Sequence, residues 1–91
     1  MKATHTTMIH GTCPINDSQD YYELQVDCDF FLSAEEVELA ANVVRGKTMT
    51  QEAMATAIYD DIYAGLPDRK GVQITLIGRH GQNVATEVRV P

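Results

Sequence analysis

Apolar and polar positions alternate with a period of two in several stretches of the chain and with a period near 3.6 in two others. Tyr22, Leu24, Val26, Cys28 and Phe30 alternate with Tyr21, Glu23, Gln25, Asp27 and Asp29. This is the pattern of a strand with one buried and one solvated face, predicted over 21–30. Residues 3–10 are rich in β-branched side chains and predict a strand before it. Val72, Ile74 and Leu76 against Gln73, Thr75 and Arg79, then Val84, Thr86, Val88 and Val90, predict two more over 72–79 and 84–90. Gly78, Gly81 and Asn83 fall in the expected hairpin connection. Between the strand pairs the period changes. Val37, Ala40, Ala41 and Val44 form a helical stripe, opened by a Ser33/Glu36 capping box and closed by Gly46 as the residue after the cap. Met54, Ala55, Ile58 and Ile62 form a second stripe, opened by a Thr48/Gln51 capping box and stopped by Gly65 and Pro67.

The order is strand, strand, helix, helix, strand, strand. It predicts an α+β domain: one antiparallel sheet with two antiparallel helices on one face. At 91 residues the chain is expected to form a single domain, 1–91, with a modest core. Such a sheet leaves two edges open, and pairing them with neighbouring copies would close it into a barrel, so a homo-oligomer is expected.

Composition narrows the function. The chain has 7 Lys and Arg against 13 Asp and Glu, a net charge of −6. That argues against docking on a phosphate backbone over a broad face, and leaves a nucleobase-like small molecule open. No apolar run is long enough for a membrane span, and Met1–His5 has no signal-peptide core, so a cytoplasmic location is expected. The two cysteines, Cys13 and Cys28, are then expected as free thiols. Two Cys and three scattered His do not make a structural zinc set, and no metal is expected. Cys28 lies on an apolar strand face and reads as core.

Cys13 does not fit that pattern. The connection Thr12-Cys13-Pro14-Ile15-Asn16-Asp17-Ser18-Gln19-Asp20 holds the turn formers of a hairpin tip and also a thiol, with Asp20 seven residues on. A cysteine beside a carboxyl group is one way to build a nucleophile with a proton donor; small core residue and strand-entry residue are the plain alternatives. Glu52 lies in the first turn of the second predicted helix, where it could bind a ligand or only complement the helix dipole. His5, His10 and His80 are the groups that could assist the thiol.

The element order resembles that of the tunnelling fold, whose members include GTP cyclohydrolase I, the pyruvoyl-tetrahydropterin synthases and the 7-cyano-7-deazaguanine reductases. Cys13-Pro14 followed by Asp20 resembles the reductases' motif, in which the cysteine attacks a nitrile to give a thioimide and the aspartate handles the proton. Gln51-Glu52 resembles the start of the second helix in these families: Glu52 matches the ring-anchoring glutamate, and Gln51 stands where the reductases carry a histidine and the cyclohydrolases a glutamine. The resemblance implies Cys13 and Asp20 as catalytic residues, Glu52, Gln51 and His80 as substrate-binding residues, and assembly into rings of barrels. Ser33-Ala34-Glu35-Glu36-Val37-Glu38 stands where the reductases carry a lysine-bearing NADPH segment, and it is acidic. Asn16 stands where a cyclohydrolase has a zinc-binding His, and no Cys follows His80. The pattern is similar to relatives of the reductases that lack that segment and add ammonia to the nitrile, as in archaeosine formation. It implies no cofactor, with NADPH only for a reductase. The implied partner is a deazapurine, free or carried in tRNA or DNA. A reductase, or a purine- or pterin-binding oligomer without catalysis, is the alternative.

Overall fold

The computed structural model describes residues 2–65, 71–80 and 83–90. Four strands, β1 (Ala3–Thr12), β2 (Gln19–Cys28), β3 (Val72–His80) and β4 (Val84–Val90), form one antiparallel sheet in the order β1-β2-β3-β4. The helices α1 (Ala34–Asn42) and α2 (Gln51–Ala64) come between the two strand pairs. The register puts Ile9, Tyr22, Gly78 and Thr86 in one row across the sheet, then Thr7, Leu24, Leu76 and Val88, then His5, Val26, Ile74 and Val90. Alternate positions along each strand share a face, so these rows all point to the helices. They bury Leu24, Val26, Ile74 and Leu76 against Val37, Ala40 and Ala41 of α1 and Met54, Ala55, Ile58 and Ile62 of α2.

Strand and helix ends differ from expectation. β1 and β2 run on toward each other, pairing Gly11 with Asp20 and Thr12 with Gln19, so the connection is only Cys13–Ser18 and Asp20 is a strand residue. β2 stops at Cys28, and Phe30 packs on the core from the following bend. Gly78 belongs to β3, not to the hairpin connection. An added Cβ there would come within 2.6 Å of the Tyr22 ring, which needs the space. Of the residues predicted to punctuate, Pro67 and Gly81 lie outside the described residues.

Ser33 caps α1 as expected, accepting from the Glu36 N–H at 3.2 Å. The helix ends at Asn42, earlier than its stripe. Tight turns carry the chain on to Gly46, which takes φ +74°, open to glycine at little cost, and donates its N–H to His10 O. The cap of α2 is Thr50, not Thr48: its hydroxyl accepts from the Ala53 N–H at 3.2 Å. Gln51 cannot reach back to complete a box with Thr48, because its side chain is buried under the sheet.

The segment between the helices has a second task. Thr12 N–H donates to Lys47 O, Met49 N–H donates to Thr12 O, and Thr12 and Thr48 form a parallel bridge. A short extended piece thus lies along the outer edge of β1, bringing the start of α2 beside the Cys13–Ser18 turn.

Candidate active site

The Cys13–Ser18 turn is closed on itself. Cys13 N–H donates to Ser18 O and Asp17 N–H donates to Cys13 O, both at 2.9 Å. Asn16 Oδ1 accepts from the Ser18 N–H at 3.0 Å, and Asp17 takes φ 56°, which Asp tolerates at a turn. Both backbone polar groups of Cys13 are used, so the thiol stands on a fixed stem while Pro14 and the exposed Ile15 form a lip beyond it.

That stem faces a cleft of about 220 Å³. Cys13, Pro14 and Ile15 make one wall; Met49, Thr50 and Glu52, at the N-terminus of α2, make the other; Tyr22, Gln51 and Thr86 lie between. The positive end of the α2 dipole favours an anionic ligand group here. Glu52 is exposed and presents an acceptor-only carboxylate when ionised.

Of the five side chains proposed from sequence, Cys13, Gln51 and Glu52 meet in this cleft. Gln51 is almost fully buried, and its amide nitrogen donates to Leu76 O and Thr86 O, both at 2.8 Å. It fastens α2 to β3 and β4, so its amide N–H groups are committed to protein. Asp20 is not on the cleft surface. It stands behind it on the same sheet face, accepting from Ser18 Oγ at 3.3 Å and from Tyr22 Oη at 3.4 Å, a long bond. His80 ends β3 opposite Val84, and its side chain lies outside the described residues. His10 projects from the other sheet face, its ring centroid 6.3 Å from that of Tyr21. His5 is in register with Val26, towards the far end of β1, and lines a hollow beside Ala34 and Val37. Neither histidine joins Cys13.

Tyr22, placed by the strand alternation on the buried face, also carries a polar contact. Its ring is buried over Gly78, the residue lines the cleft, and its hydroxyl donates to Asp20. Burial first, then the neighbouring Asp20 and Cys13, the bond to Asp20 and finally Glu52 push its phenol up to about 12. It is therefore a protonated donor at neutral pH. The signal was present in the sequence: Tyr22 follows Asp20 by two in a strand, so the two share a face. Among the described residues no group of three or more His, Cys, Asp and Glu is gathered to hold a metal ion, and no helix is long and apolar enough to cross a membrane.

No protein-family model matches the sequence, and no curated protein matches it. Among solved structures, the crystal structure of the archaeosine synthase QueF-Like in the apo form superposes with a TM-score of 0.82. The match covers 98% of this chain and 90% of that one, at 21% identity. The chain has the tunnelling fold. The tunnelling fold explains why a turn between β1 and β2 and the first turn of α2, far apart in sequence, form one cleft: the ββααββ order brings both to the same end of the sheet.

Proposed function

We propose that the protein forms a thioimide on the nitrile of 7-cyano-7-deazaguanine, as free base or carried in nucleic acid, and adds ammonia to give an amidine. The observation that carries this reading is the meeting of Cys13 with Glu52 in one cleft, with Asp20 one hydrogen bond behind it. Its fold-level support is the likeness to an archaeosine synthase.

The chemistry fits the groups. Glu52 offers two oxygens to two ring donors of a guanine-like edge, a bidentate, charge-assisted pairing. Cys13 sulfur adds to the nitrile carbon, and the thiol proton passes to the nitrogen with Asp20 as the acid. Ammonia then adds to the thioimide carbon and the thiolate leaves, so nitrile and ammonia become the amidine with no redox change. An amidine former is favoured over an NADPH-dependent reductase because Glu35, Glu36 and Glu38 are exposed at the start of α1, a poor surface for a dinucleotide phosphate.

Intact-protein mass spectrometry after mixing with 7-cyano-7-deazaguanine tests the reading. We expect a mass gain equal to the ligand, lost in Cys13→Ala and kept in Cys28→Ala. Ligand binding with no covalent gain would leave a ring-binding protein and remove Cys13 from the chemistry.

A further inference from the structure

Resting on the thioimide reading, we infer that Tyr22 is a catalytic residue: its hydroxyl is the end of the Asp20 acid that touches the substrate, handing a proton to the nitrile nitrogen as sulfur adds to carbon.

The argument starts from position. Cys13, Glu52 and Tyr22 line the cleft and Asp20 does not, and the Tyr22 Oη–Asp20 Oδ2 contact at 3.4 Å joins Asp20 to a lining residue. Asp20 is further tethered by Ser18 Oγ on its other oxygen, so each carboxylate oxygen already accepts one bond. Both donors would have to be given up for the carboxyl group to swing into the cleft. The phenol needs no such movement. Its ring is clamped between the core and the bare backbone of Gly78, where even a methyl group would collide. A donor held this way keeps its geometry while charge develops beside it.

The step balances. The Cys13 S–H bond breaks and its proton is lost to solvent, from which the partly exposed Asp20 takes one up. The C–S bond forms, one C–N π bond breaks, and that electron pair moves to nitrogen. Nitrogen takes the proton of Tyr22, and Tyr22 takes the proton of Asp20, which returns to the carboxylate. The net transfer is one proton from sulfur to nitrogen, with no change of oxidation state.

Tyr22→Phe removes the hydroxyl and keeps the ring that packs on Gly78. In rapid-quench mass spectrometry with 7-cyano-7-deazaguanine, the variant is expected to form the adduct about a hundredfold more slowly, the scale of a lost general acid. Asp20→Asn should be slowed similarly, and the double variant no further, because the two groups act in one chain. Binding of the ring, measured in the Cys13→Ala background, should not change. Alkylation of Cys13 by iodoacetamide, whose leaving iodide takes no proton, should stay within about twofold of wild type. If Tyr22→Phe forms the adduct at the wild-type rate, the relay is overturned and the thioimide reading stands. If adduct formation and alkylation fall together, Tyr22 only shapes the turn, and the relay is overturned as well. If the wild-type protein forms no adduct, the thioimide reading fails and takes the relay with it.

Discussion

Gly78 and Tyr22 act as one unit. The Tyr22 ring occupies the space a side chain at Gly78 would fill, and that seating points the hydroxyl at Asp20. Gly78→Ala is therefore expected to force the ring out of place, lowering stability by about 1–3 kcal/mol in urea unfolding, the usual scale of an overpacked core, and slowing adduct formation. Alkali gives a second test. The Tyr22 phenol is raised from 10.0 to about 12, chiefly by burial, and burial also raises the Cys28 thiol above 9.0. In both cases the unfolded chain gives up its proton first, so it binds fewer protons than the folded one and stability falls as pH rises. Melting temperature should start to drop above about pH 9 and fall further between pH 10 and 12. Tyr22→Phe should flatten the upper part. At this scale the sequence was half legible. Strand alternation put Tyr22 on the buried face correctly, but burial of a ring does not say where its hydroxyl ends. That depends on Gly78, which is 56 positions away (78 − 22) and looked like a turn residue.

Among the elements, α2 shows how local signals compete. Thr48 and Thr50 can both serve as caps, and the Thr48/Gln51 pair looks the better box by pattern. The sheet decides otherwise, because the carbonyls of Leu76 and Thr86 take both donors of Gln51 and pull it inward. Gln51→Ala should leave those carbonyls without their partner, costing about 1–3 kcal/mol by denaturant midpoint. Gln51→Glu should be at least as damaging, since an ionised carboxylate has no donor to offer. Each would also loosen the α2 wall of the cleft and weaken ring binding, which calorimetry can follow. Helix stripes, strand periods and the Ser33 cap were readable because they depend on neighbours within one element. The α2 cap and the β1 and β2 ends were not, because contacts with other elements settle them.

For the molecule as a whole, the ββααββ order was readable from the two periods, and assembly through the open sheet edges is an expectation that calls for a measurement in solution. β1 and β4 are the two edges of the sheet, and on the face away from the helices Met8 and Tyr21 are 57% and 66% exposed. Light scattering is expected to give a multiple of 10.1 kDa; a monomer at micromolar concentration would mean that these edges stay unpaired. One part of the β1 edge is already occupied from within the chain, where Lys47 and Met49 pair with Thr12, the residue before Cys13. The turn that carries the thiol is thereby fastened to the segment between the helices as well as to its own hairpin. Deuterium uptake at the Thr12 and Met49 amides should consequently rise together, ahead of the central strands. In refolding, the first hairpin can close early, but Cys13 reaches its place beside the start of α2 only once the helix pair has docked.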